Sequence, residues 1–147
     1  MKILLPIDGS PQALEAVRHA IRLVQDGLRA EFVLVNAQAA ASLYEMAVAH
    51  DAEVIDQVRS AAGADLLQPA EALLQAAGVS FDSEVVGGDP ERALIEAIER
   101  EGCDAVIIAT HGTGGRFAAL FGSVSGSVLQ HSPVPVTVVR AGAGSPG

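Results

Sequence analysis

Small and hydroxyl-bearing residues gather at two places late in the chain. Thr110-His111-Gly112-Thr113-Gly114-Gly115 directly follows the apolar run Val106–Ala109, and Gly122-Ser123-Val124-Ser125-Gly126-Ser127 lies shortly beyond it. Such a pair suits a phosphate. Glycines let backbone N–H groups approach an anion closely, and a helix start aims its unpaired amides and positive dipole end at the same spot. The pattern predicts a strand ending at the first cluster and a helix starting at about Ser123, with the hydroxyls of Thr110, Ser123 and Ser125 as further donors. Near the N-terminus a lone carboxylate, Asp8, ends the run Ile3–Ile7 ahead of Gly9-Ser10. It can touch a ligand or brace the following turn. Arg116 is the one cation inside the glycine loop, and an exposed arginine meets either phosphate or water. His111 has no evident serine or carboxylate partner in the sequence, so hydrogen bonding to solvent or within the loop is its default role.

Other chemistries lack their residues. Phosphoryl transfer needs positioned cations and a group that orients the nucleophile. The loop has no lysine of the P-loop kind, and no second acidic cluster offers a metal site. No paired cysteines or His/Glu spacing indicate zinc. No catalytic residue is therefore expected, and any ATP hydrolysis or self-phosphorylation would be slow. A formal net charge of −9, with Lys2 as the only lysine and scattered arginines, excludes a nucleic-acid surface. The single cysteine, Cys103, cannot form an internal disulfide and reads as a buried residue at a helix–strand junction. No apolar stretch approaches a membrane span, so a cytoplasmic protein without membrane contact is expected. With 147 residues, half of them apolar, the chain is long enough for one domain with a substantial core.

The elements that must position these residues follow from periodicity. Ile3–Ile7, Phe32–Val35, Val79–Val86, Ala105–Ala109 and Val134–Val139 are the strand candidates. The first, second and fourth are apolar almost throughout, as central parallel strands covered on both faces are, whereas the third carries Ser80, Asp82, Ser83 and Glu84 and belongs near an edge. A first helix has Ser10 as N-cap, Pro11 at its first position and Gly27 past its end, with Leu14, Val17, Ile21 and Val24 on one stripe. Residues 43–75 are helix-prone but interrupted by Gly63 and Pro69, which leaves one kinked helix or two shorter ones. A third helix has Asp89 as cap and Pro90 at its first position and buries Leu94, Ile95 and Ile98. The fourth follows Gly122, with Val124, Val128 and Leu129 as its apolar face.

Five strands separated by helices imply parallel pairing through right-handed crossovers, hence an α/β fold with an open, doubly wound five-stranded parallel sheet and helices on both faces. Such sheets bind ligands at the carboxyl ends of strands where the winding reverses. If the first and fourth strands are neighbours there, Asp8 and the glycine loop flank one crevice.

These residues resemble the universal stress proteins of the UspA type, a group of Rossmann-like, adenine-nucleotide-binding domains. The resemblance covers residues 1–140 as one domain. It rests on Ile-Leu-Leu-Pro-Ile-Asp-Gly-Ser at the start, the Gly88-Asp89-Pro90 turn, Ala109-Thr110-His111-Gly112, Gly122-Ser123-Val124-Ser125, and the closing Pro133–Arg140 run. The ATP-binding members carry a glycine, two residues, a second glycine, nine residues, then glycine with Ser or Thr. Here Gly112 is the second glycine, Thr113 to Phe121 are the nine, and Gly122-Ser123 close the pattern, while Ala109 stands at the first glycine. Alanine fits there if its φ is negative. By the resemblance Pro6, Ile7 and Asp8 border adenine and ribose, and Ala37, in place of a usually larger residue, leaves a looser pocket against the base.

The expectation is thus a regulatory stress-response protein that binds ATP, with or without Mg, through Pro6, Ile7, Asp8, Ala37, Ala109, Thr110, His111, Gly112, Gly122, Ser123, Val124 and Ser125. Bound ATP would order Thr113–Phe121 and change the surface shown to protein partners yet to be identified. The alternative is a nucleotide-free homodimeric interaction protein of the same fold, which Ala37 and Ala109 favour. The β-branched strand Val134–Val139, if at the sheet edge, invites antiparallel pairing with a second copy, as the resemblance also implies. Residues 141–147 read as a disordered tail.

Overall fold

The computed structural model describes residues 1–38, 52–110 and 117–140. Along the chain, β1 (Lys2–Pro6) leads into α1 (Pro11–Gln25) and β2 (Glu31–Gln38), α2 (Ala52–Ala76) precedes β3 (Phe81–Gly87), α3 (Pro90–Arg100) precedes β4 (Ala105–Thr110), and α4 (Phe117–His131) precedes β5 (Val136–Arg140). All strands pair in parallel, in the order β3-β2-β1-β4-β5. The chain winds outward from β1 through β2 to β3, then crosses to β4 on the other side and continues to β5. The direction reverses between β1 and β4, as the α/β expectation requires.

Alternation along the central strands divides the core between two faces. Ile3, Leu5, Phe32, Leu34 and Ile107 point toward α1 and α2, where Val17, Leu67 and Leu74 meet them. Leu4, Val33, Val35, Val106 and Ile108 point toward α3 and α4 and pack on Leu94, Ile98 and Val128. Both faces are covered by helices, which is why these strands read as nearly unbroken apolar runs. The third strand runs along one edge with Asp82 and Ser83 exposed.

Four readings are settled or changed. Of the two readings left open for the helix-prone second segment, the single helix holds over the described part, from Ala52 to Ala76, through both Gly63 and Pro69, while residues 43–51 lie outside the described residues. Pro69 sits on the exposed side, and Asp65, whose carbonyl would otherwise bond to the residue at 69, is also exposed and can use water. Gly63 is a point of close approach. A Cβ there would lie 2.6 Å from Val85 Cγ1 and 2.9 Å from Asn36 Oδ1, so only glycine lets α2 settle on β2 and β3. In α1 the buried residues are Ala13, Ala16, Val17 and Ala20, while Leu14, Ile21 and Val24 pack at the margin, because a small-residue stripe brings this helix close to the sheet. The last strand starts at Val136, not Val134, since the Val134 amide donates to Ser132 Oγ at 3.2 Å and Pro135 has no N–H. The fourth change, to the start of α4, belongs to the site.

Candidate functional site

The carboxyl ends of β1, β2 and β4 open into a cleft enclosing about 190 Å³. Pro6, Ile7 and Asp8 border it from β1, Val35 and Ala37 from β2, and Ile108, Ala109 and Thr110 from β4. Pro90 and Leu94 of α3 close one side, Val124, Ser125 and Val128 of α4 another, and Ser10, Gln12 and Ala13 bring in the start of α1. The juxtaposition of β1 and β4 makes this one site, with Ile3 opposite Ala105 and Leu4 opposite Val106 in the register. Eight expected site residues, Pro6, Ile7, Asp8, Ala37, Ala109, Thr110, Val124 and Ser125, line this single cleft.

On the β1 side the backbone is held at every step. The Ile7 amide donates to the Val35 carbonyl at 2.9 Å, and Asn36 Nδ2 donates to the Ile7 carbonyl at 2.8 Å. Asp8 Oδ1 accepts from the Ser10 amide at 2.9 Å, and Ser10 Oγ caps α1 by accepting from the Ala13 amide at 3.2 Å. Asp8 therefore braces the turn and borders the cleft at once. One carboxylate oxygen is committed to Ser10, on an exposed residue that reaches the cleft rim. Gly9 has a φ of +85°, and a Cβ on it would lie 2.4 Å from Leu66 Cδ2, so α2 presses directly on this turn.

The β4 side differs from expectation in one respect that matters for chemistry. Helix α4 begins at Phe117 rather than at Ser123. The run Phe-Ala-Ala-Leu-Phe contains no breaker, and a single glycine such as Gly122 lowers helix propensity by only about 1 kcal/mol without stopping the helix. In a helix that begins there, the amides of Ser123, Val124 and Ser125 are used by intrahelical bonds, and the free amides belong to the turn at Phe117. Gly122 and Ser123 thus lie inside the helix and do not form its mouth. His111 and Gly112 lie outside the described residues, as does the 113–116 half of the segment expected to respond to ligand. Its other half, Phe117–Phe121, is already helical. The tail 141–147 is also outside the described residues.

Ala109 meets the condition set for it. It lies within β4, and among the described residues no residue other than glycine has a positive φ, so its methyl causes no backbone strain. Thr110 is buried to 2 % exposure, yet its Oγ1 has no hydrogen-bond partner among the described residues. A buried hydroxyl without a partner is unusual enough to require an explanation.

Sequence reasoning missed Asn36, a fully buried amide in the middle of an apolar strand, and that burial is the signal that could have found it. Gln12, Pro90, Leu94 and Val128 were also missed as wall residues, because a wall made by two helices is invisible along the chain. Cys103 is buried and free at the junction of α3 and β4, and burial pushes its thiol pKa up, against reactivity. Among the described residues no cluster of His, Cys, Asp or Glu could hold a metal, and no helix is long and apolar enough to cross a membrane.

A doubly wound five-stranded parallel sheet is also the fold of known proteins. Over its first 140 residues the chain matches the model of the universal stress protein family. It is 27% identical over 139 residues to the universal stress protein MJ0531 of Methanocaldococcus jannaschii, covering 95% of this chain and 81% of that one. Its fold is similar to that of a universal stress protein of Arabidopsis thaliana solved with AMP bound, with a TM-score of 0.69, 16% identity, and 97% and 93% of the two chains covered. It is similar as well to a universal stress protein solved in complex with cAMP, with a TM-score of 0.66, 23% identity and 95% of each chain covered. The match of the family model over residues 1–140 places the chain in the universal stress protein family.

Proposed function

We propose that this protein is a regulatory universal stress protein that binds an adenine nucleotide, ATP foremost, in the cleft at the carboxyl ends of β1 and β4. The observation that carries the reading is the convergence on one cleft of residues far apart in sequence: Asp8 on one rim, Ala37 and Ile108 on the floor, Thr110 and Ser125 on the other side. An apolar floor with a few neutral hydroxyls and one carboxylate is the composition of a nucleoside pocket. The AMP and cAMP complexes of proteins with this fold support the same class of ligand. The phosphates would run toward the loop that joins β4 to α4, and any Mg would arrive with them.

The test is direct. The chain has no Trp and one Tyr, so a co-purified nucleotide would dominate its ultraviolet spectrum with a peak near 260 nm. Calorimetry with ATP, ADP, AMP and cAMP then ranks the ligands. A spectrum without that peak, together with no heat from any of the four, would remove this reading in favour of a nucleotide-free interaction protein. We propose in addition that two copies pair antiparallel through β5. That strand bonds only to β4 on its inner side, and none of its five residues is buried. Sedimentation of Val138→Lys tests it, and a dimer that persists in this variant rules the strand out as the interface.

A further inference from the structure

We infer that Leu66, an exposed leucine on α2, is a positioning residue for Asp8. It holds the turn that carries the carboxylate, so the seating of α2 sets the ligand affinity of a cleft that no described residue of this helix lines. The part that concerns affinity rests on the nucleotide site proposed above.

Asp8 is exposed, and its Oδ1 accepts from the Ser10 amide two residues away. So local a bond does not fix where the turn sits relative to the sheet. The two neighbours of Asp8 do. On one side Ile7 is buried, and its carbonyl accepts from Asn36 Nδ2 at 2.8 Å. On the other side Gly9, at a φ of +85°, is covered by Leu66, whose Cδ2, Cγ and Cβ would lie 2.4, 3.3 and 3.5 Å from a Cβ at position 9. The leucine side chain thus rests along its length on the Gly9 backbone. Glycine has the widest choice of conformations, and a branched side chain laid on it removes those that swing outward.

Both supports lead back to one turn of α2. Gly63, three residues before Leu66, approaches Asn36 and Val85 so closely that a Cβ there would lie 2.9 Å from Asn36 Oδ1. Residues three apart share a helix face, so a shift of α2 reaches both neighbours of Asp8 together. Leu66 is 37 % exposed and stands outside the core cluster that Leu67 and Leu74 join. What it holds is the turn, not the core.

Hydrogen exchange of the Ser10 amide reports the turn without any ligand, and calorimetry with AMP and ATP reports the cleft. In Leu66→Ala the turn should be correctly placed for only about one fifth of the time, which lowers affinity for both nucleotides about fivefold and speeds Ser10 exchange at least as much. Leu66→Met, of similar volume, should stay within about twofold of wild type. Leu73→Ala removes a leucine about two turns further along the same helix, at the margin of the core. It should lower the melting temperature while leaving Ser10 exchange and affinity as in wild type. Unchanged Ser10 exchange in Leu66→Ala, an equal response in Leu73→Ala, or faster exchange with undiminished affinity would each overturn the assignment. Failure of the wild type to bind either nucleotide would overturn the proposed site, and Ser10 exchange would then still decide whether Leu66 holds the turn.

Discussion

The two sides of the cleft are built on opposite principles. On the β1 side polar groups bond to one another: Asp8 accepts from the Ser10 amide, Ser10 accepts from the Ala13 amide, and Asn36 donates to the Ile7 carbonyl, with Leu66 pressing on Gly9 from outside. On the β4 side a buried hydroxyl is left without a partner among the described residues, and the helix that follows starts well before its small-residue cluster. A side whose hydrogen bonds are satisfied internally is rigid. A buried hydroxyl without a partner leaves the other side with unused hydrogen-bonding capacity. The two central strands thus divide order and unused polar capacity between them.

Breaking the rigid side should cost more than any change on the open side. The largest effect is expected from Asn36→Leu, which leaves the Ile7 carbonyl buried without this donor and crowds Gly63. Unfolding free energy should fall by about 2 kcal/mol. Nucleotide affinity should fall with it, because Asp8 follows directly on Ile7. Urea titration and calorimetry measure the two, and a variant as stable as wild type would show that Asn36 holds nothing in place.

Next comes Gly9→Ala, which imposes a positive φ on alanine and sets its methyl against Leu66. A loss of about 1–2 kcal/mol is expected from the backbone conformation alone, plus the collision. The double variant Gly9→Ala, Leu66→Ala should recover the collision part only. Additive effects in this double-mutant cycle would mean that α2 does not press on the turn.

The smallest effects compare two helix starts of similar sequence. Ser10-Pro11 and Asp89-Pro90 both put proline at the first helical position, but Ser10 caps its helix through a hydrogen bond while the Asp89 side chain makes none. Ser10→Ala should cost about 1 kcal/mol. Asp89→Ala should cost only about 0.3 kcal/mol, the residue of its charge beside the helix dipole. Equal losses in urea titration would contradict the difference between the two caps.

Much of the first side was readable in advance because its determinants are local. Ser10 and Pro11 sit next to the helix they start, and Asp8 to the turn it braces, so residue type and spacing are sufficient. The alternation of apolar side chains in β1, β2 and β4 likewise requires cover on both faces, and the polar residues of β3 already mark an edge. Gly63 left two readings open, and Gly122 was misread, for a common reason. A glycine inside a helical pattern has the same appearance whether it ends the helix, tolerates it or permits a close approach. At Gly63 only the position of Val85 and Asn36 decides.

The sequence by itself determined the winding of the sheet, the Ser10 cap of α1 and the neighbourhood of Asp8, since these follow from periodicity and from hydrogen bonds that span a few residues. Tertiary structure alone decided that Asn36 reaches across to Ile7, that α2 continues past Pro69, and that Thr110 is buried at the cleft with a hydroxyl left over. Burial and partnership depend on what arrives from distant parts of the chain, and no local spacing encodes that arrival.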